Sequence, residues 1–285
     1  MLEKEVKTWA ADVRGTTLEI VTRQAEHEEL AGALEGLELC AQTVEVHASL
    51  RSFSPRVNAV SMLEAFSSRS ITAVLPAFSH VFEVRPPIDV QLEANGYVYG
   101  EPTQCGSAPV YRQQHADIDP DMGVLPRAAV DHGALRGNHP FNGFCAVGPE
   151  AADVVAAQTP DATYGPVAAA AERHGKLLLI GVGLNRATCL HHAESLAGRR
   201  QFTRWYCDGG AMHSARTGGC SAAFDAFIPF ITAPRQHVMR GSTWSVFDIA
   251  TLVEEVSTAI AVDPSLGLCS SHTCHKCPSA RARIS

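Results

Sequence analysis

The sequence predicts an α/β protein with a central mixed sheet flanked by helices and a small loop-rich subdomain, and three observations carry that expectation. Apolar strand-like runs alternate with helical stretches. One such run opens LLLIGVGLNRATCLHHAE, Leu177 to Glu194, and delivers two histidines and a glutamate at its exit. The stretch 198–219, rich in glycine and arginine, reads as loops or short strands of an antiparallel edge.

In chain order, residues 18–39 predict a helix with Leu30, Ala33, Leu34 and Leu37 on one stripe. Thr43–Val46 follows as a short strand. Ile71–Phe78 is an apolar run broken by Pro76, which suits a strand ending where its loop begins. From His80 to Asp119 the composition turns to Pro, Gly, Gln and Tyr without periodicity, a long insertion of the kind that is usually functional or mobile. The segment RGNHPFNGFCAVGPEA, Arg136 to Ala151, sends a His-Pro pair into an apolar strand, and Glu150–Ala157 predicts a helix. A loop (Gln158–Gly165), a helix (Val167–His174) and the strand Lys176–Ile180 come next. Residues 243–261 predict an amphipathic helix capped by Ser242 or Thr243, with Val246, Ile249, Val253, Val256 and Ile260 buried.

With 285 residues, 46% of them hydrophobic, the chain can bury a large core. The expectation is one domain over 1–285, with an insertion at about 80–119 and a C-terminal tail at 263–285. A formal charge of −7 with 19% charged residues argues against a nucleic-acid surface and permits a cationic substrate. No window approaches the ~20 apolar residues of a membrane span. The N-terminal MLEKEVKTWAADVRG lacks the apolar core of a signal peptide, so the expected location is cytoplasmic. In such a compartment the nine cysteines call for metal binding or burial rather than disulfides.

His191 and Glu194 stand three apart; on a helix capped by Thr188 they share a face, and the carboxylate can orient the imidazole as a general base. In VEVHASLRSF, Val44 to Phe53, a strand exit carrying His47, Ser49, Arg51 and Ser52 has the makings of a phosphate cradle or of an ordinary polar turn. Gly181-Val182-Gly183 lacks the third glycine of a dinucleotide fingerprint, with Arg186 in its place, and there is neither a Walker loop nor a Gly-x-Ser-x-Gly elbow. Cys274-His275-Lys276-Cys277 has the spacing of half a zinc knuckle and needs a second pair of ligands.

Taken together and in order, VHASLRSF, LPAFSH, DPDMGVLP, RGNHPFNGFCAVGP and LLLIGVGLNRATCLHHAE resemble the aminoglycoside 3-N-acetyltransferases of the antibiotic N-acetyltransferase family. The ending CHKCPSARARIS resembles that family's apramycin- and gentamicin-modifying branch. The resemblance implies a fold other than the Gcn5-type acetyltransferases, and acetyl transfer from acetyl-coenzyme A to an aminoglycoside amine, the 3-amino group, conferring antibiotic resistance. His191 matches the catalytic histidine and Glu194 its acidic neighbour. His47, Ala48, Ser49, Leu50, Arg51 and Ser52 match the loop that receives coenzyme A. Cys207 and Cys220 align with cysteines of the same branch and would complete a Cys₄ zinc site with Cys274 and Cys277, Cys269, His272 and His275 being other candidates. The segment Met212–Ser221 departs from the pattern, having no carboxylate where relatives carry acidic residues, so Glu83 and Asp225 are candidates to bind the polycation. His139-Pro140-Phe141-Asn142-Gly143 also lacks a serine of the family motif. These departures leave open a different amine acceptor, or a zinc-stabilised binding module without catalysis. The expected assembly is a monomer or homodimer.

Overall fold

The computed structural model describes residues 17–284, so the N-terminal segment 1–15 read above lies outside the described residues. Seven strands form the main sheet, in the order β3-β4-β2-β1-β5-β9-β8. They are β1 (Thr43–Ala48), β2 (Thr72–Pro76), β3 (Leu135–Arg136), β4 (Phe144–Val147), β5 (Lys176–Ile180), β8 (Arg235–Met239) and β9 (Ser242–Asp248). β1 pairs in parallel with both β2 and β5, while the outer strands join antiparallel. The chain leaves β1 toward β2 on one side and reaches β5 on the other, so the order reverses at β1/β5. A crevice opens beyond the carboxyl ends at such a reversal, and it is where open α/β sheets bind ligands.

Helices cover both faces. Val44 and Val46 of β1 point into a core shared with α1 (Thr17–Gly36), α2 (Ala59–Ser68) and α3 (Val124–Asp131). Leu177 and Leu179 of β5 point the opposite way, into a core with α4 (Ala151–Ala156), α5 (Gly165–Glu172), α6 (Cys189–Leu196) and α7 (Ile249–Val262). The period-two alternation of a strand sends Glu45 and His47 to that second face as well.

Two elements differ from expectation. The helix expected over 243–261 begins only at Ile249, because STWSVFD alternates buried Ser242, Trp244 and Val246 with more exposed Thr243 and Ser245. That period suits β9, inserted between β5 and β8, and Asp248 then caps α7 by accepting the Thr251 N–H at 2.9 Å. The stretch 198–219 is not an edge of the main sheet. It forms a separate hairpin, β6 (Phe202–Asp208) and β7 (Ala211–Thr217), turned by Gly209 and Gly210 at φ +56° and +82°.

The segment 80–119 packs on this hairpin: Val84 bridges to Trp205, and Cys105 forms a disulfide with Cys207. That bond overturns the expectation that the cysteines avoid disulfides. A last short helix, α8 (Lys276–Arg281), returns the C-terminal tail to the same neighbourhood. No helix among the described residues is long and apolar enough to cross a membrane.

Candidate active site

β5 ends at Ile180, and a tight passage through Gly181 to a 3-10 turn (Leu184–Arg186) starts α6, which carries His191. Gly181 has φ +62°, and a Cβ there would meet Ser52 Oγ at 2.1 Å, so only glycine lets the two strand exits lie this close. Thr188 precedes α6, but its side chain makes no cap bond. The cap comes instead from β1: Glu45 Oε1 accepts the Cys189 N–H at 3.2 Å, and His47 Nε2 lies 2.8 Å from Glu45 Oε1 and 3.3 Å from the Thr188 nitrogen. Glu45 is fully buried. Its role was missed in the sequence, where a glutamate inside an apolar strand was the available signal.

On α6, His191 Nδ1 lies 2.5 Å from Glu194 Oε2. Arg199 bonds the other carboxylate oxygen and donates its Nη2 to the Pro264 and Leu266 carbonyls at 2.8 and 2.9 Å. Burial pushes the Glu194 carboxyl up, yet the His191 and Arg199 partners outweigh it and hold the group below its ordinary range. Glu194 is therefore an anion clamped from both sides. With Nδ1 engaged, Nε2 is the ring atom left to meet a substrate, and it has no hydrogen-bond partner among the described residues. The ring is held between Tyr164, nearly parallel at 6.0 Å, and the edge of Phe224 at 4.8 Å. Arg199, Tyr164 and Phe224 were also missed, because each comes from a different loop or helix and shares no spacing with His191.

The expected coenzyme A loop lies at the β1/β5 crevice, with its six residues in unlike positions. Ala48 ends β1 and Ser49 N donates to Ile180 O at 2.9 Å. Leu50 is buried, and Ser52 Oγ is spent on Ser49 O and Ser242 Oγ, each at 2.7 Å. His47 is buried against Glu45 and is turned away from solvent. Arg51 is exposed, without a hydrogen-bond partner among the described residues, and with Ser49 forms the accessible part.

The structure brings one of the two expected acidic residues to the site. Asp225 is exposed, directly after Phe224 and beside Gly183. Glu83 sits 3.6 Å from the buried Arg204, so its charge is already matched within the protein.

His139 has a structural task. Its Nδ1 accepts the N–H groups of Phe141 and Asn142 at 3.1 and 3.0 Å, so Nε2 carries the proton and donates to Arg216 O at 2.7 Å. Burial lowers both His139 and His115 from 6.5 to about 4, and lowers His192 as well. These depressed values make the folded state bind fewer protons than the unfolded one. Stability is then complete above pH 6.5 and falls as pH drops toward about 4. Urea midpoints at pH 7 and 5.5, above the carboxylate range, should show the lower stability at pH 5.5; equal midpoints would contradict these assignments.

Beside the site, Cys220, Cys269, Cys274 and Cys277 place their sulfurs within 4.8 Å of one another. Cys207, expected in this set, is occupied by its disulfide on the hairpin, and Cys269 stands in its place. The donor set fits tetrahedral zinc. Zn–S bonds of 2.3 Å require sulfurs ~3.8 Å apart, and Cys220 and Cys269 lie at 3.8 Å. Backbone N–H groups also point at three of the sulfurs: Cys269 N to Cys277, Cys277 N to Cys274 and Ala222 N to Cys220, at 3.3 to 3.5 Å. Such donors favour thiolates, the form that binds metal.

A histidine held by an anchored carboxylate, on the helix that follows the central strand of a mixed α/β sheet, has the chemistry to accept a proton from a nucleophile. The family model for aminoglycoside 3-N-acetyltransferase matches residues 46–218, and the chain belongs to that family. Aminoglycoside N(3)-acetyltransferase IX of Micromonospora chalcea is 39% identical over 97 residues, and enzyme VII of Streptomyces paromomycinus 37% over 93. These matches take in 30% and 31% of this chain, and the chain spans about a third of those relatives (34% and 32%). The likeness of fold is far wider. The apoenzyme of aminoglycoside acetyltransferase AAC(3)-IVa superposes with a TM-score of 0.66 at 22% identity, covering 90% of this chain and 96% of that one. AAC-IIIb in its binary complex with CoASH gives 0.66 at 21%, covering 86% and 98%. The fold is thus that of these acetyltransferases and not the Gcn5 type.

Proposed function

We propose that the protein transfers the acetyl group of acetyl-coenzyme A to an aminoglycoside amine, the 3-amino group, and so confers antibiotic resistance. The observation that carries the reading is the His191–Glu194–Arg199 line: an imidazole with Nε2 free, held by a carboxylate that is itself fixed, on the helix that follows β5, whose end bonds Ser49 of the expected donor loop. An aminoglycoside amine must lose a proton before it attacks a thioester. With that proton gone to solvent, His191 Nε2 takes a second one as the nitrogen bonds to the carbonyl carbon, and Glu194 favours the imidazolium that forms. Collapse of the tetrahedral intermediate breaks the C–S bond, and the proton passes from His191 to the departing thiolate to leave coenzyme A and an amide. Asp225, at the crevice rim, is the carboxylate placed to attract a polycation. Thiol release from acetyl-coenzyme A with a panel of aminoglycosides tests the reading; silence on the whole panel with turnover on another amine would move the acceptor outside this class.

The donor loop has its own test. Arg51→Ala should raise the KM for acetyl-coenzyme A about tenfold, the loss of one charge-assisted contact to phosphate, with little change in the acceptor KM. An unchanged donor KM would reduce this loop to a strand terminus.

We further propose that Cys220, Cys269, Cys274 and Cys277 hold one structural zinc ion, which four thiolates would close to substrate. The C-terminal thiol cluster, in the segment that resembles the apramycin- and gentamicin-modifying branch, supports placing the chain near that branch. A soluble cytoplasmic location agrees with this reaction, since acetyl-coenzyme A is found there.

A further inference from the structure

Two glycines line the His191–Glu194 pair. A Cβ on Gly218 would come within 2.0 Å of Tyr164 Oη and 3.3 Å of His191 Cγ and Cδ2; one on Gly219 would lie 3.6 Å from Glu194 Oε2. The backbone thus runs against the imidazole, in residues that have no side chains to fix themselves and the widest conformational freedom of any. Something outside must hold them. Lys276 Nζ donates to the Gly218 and Gly219 carbonyls at 3.2 and 3.3 Å, and the next residue, Cys220, joins the thiol cluster with Cys277. The loop is therefore attached twice to the start of α8.

Lys276 makes no ion pair with a carboxylate among the described residues. Four thiolates around Zn²⁺ would carry a net charge of −2, and an ammonium two carbonyls away offsets it. α8 has further fastenings: Ser279 Oγ accepts the Gly96 N–H at 3.0 Å, and Arg281 donates to Leu268 O and Cys269 O at 2.9 Å. Lys276 is the tail residue that reaches the wall of the general base.

We infer that Lys276 is a positioning residue, through which the C-terminal thiol cluster holds the Gly218–Gly219 wall against His191. The kinetic arm of its test rests on the acetyl-transfer reading, and the spectroscopic arm does not. In Lys276→Met the kcat should fall about tenfold, as for one lost charge-assisted hydrogen bond, with the KM for acetyl-coenzyme A unchanged. The imidazole NMR signals of His191, assigned with His191→Gln, should shift or broaden, while those of His237 on the distant edge strand β8 stay put. Zinc content should equal that of the parent. Ser279→Ala, which removes the Gly96 bond and keeps both Lys276 bonds, should leave the His191 signals in place. Lys276→Gln serves if the methionine variant does not fold. Unmoved His191 signals in a zinc-loaded Lys276 variant, or an equal shift in Ser279→Ala, would overturn the inference and make Lys276 an ordinary tail anchor. If the parent acetylates no amine at all, the proposed reaction falls, and the His191 signals still decide the role of Lys276.

Discussion

His191→Ala is expected to lower turnover by at least ~10²-fold while coenzyme A still binds. In the proposed reaction the imidazole acts on the acceptor amine, and the proposed donor loop at Ser49 and Arg51 follows a different strand, so the two functions should be separable. Calorimetry of coenzyme A binding and steady-state kinetics on the same preparation make the comparison. Near-parental turnover would remove His191 from the chemistry. A lost coenzyme A affinity would show that the ring contacts the donor instead.

Protein purified without chelator is expected to carry about one zinc per chain, and Cys277→Ser to lose it. Cys277 is buried and its sulfur receives the Cys269 N–H, so this ligand joins α8 to the loop before it. Structural zinc sites contribute folding free energy outright. For a chain of this size each kcal/mol moves the Tm by about 2–4 °C, and loss of the site should cost several degrees. Trypsin should then cut at Lys276, which its carbonyl bonds protect in the loaded protein. Metal analysis without zinc, or a Cys277→Ser protein as stable and protease-resistant as its parent, would reduce the cluster to four free thiols.

The residues that were legible in sequence are those whose signal is local. His191 and Glu194 are one helical turn apart, and the strand before them is continuous in the chain. What the sequence could not disclose are partners brought in by the fold. Arg199 reaches Glu194 from beyond the helix end, and Glu45 caps α6 from a strand 144 residues away. Nothing in the sequence separates Cys207 from Cys269 as the fourth thiol, and only the hairpin turns Cys207 to the insertion. The misread helix at 243–261 arose because β9 and α7 abut without a linker, so two apolar periods ran together.

The pair Glu45 and His47 has a consequence for engineering. A buried polar pair rarely stabilises a protein more than well-packed hydrocarbon of the same volume. A variant with Glu45→Leu and His47→Leu fills that volume with hydrocarbon but leaves the buried Cys189 amide without its acceptor, at a cost of about 1–3 kcal/mol, so both Tm and turnover should drop. Full turnover in that variant would show that the helix start needs no such tether. If the drop is found, durability and rate depend on the same carboxylate of the central strand, and selection for heat resistance would keep the acceptor that holds α6 in place.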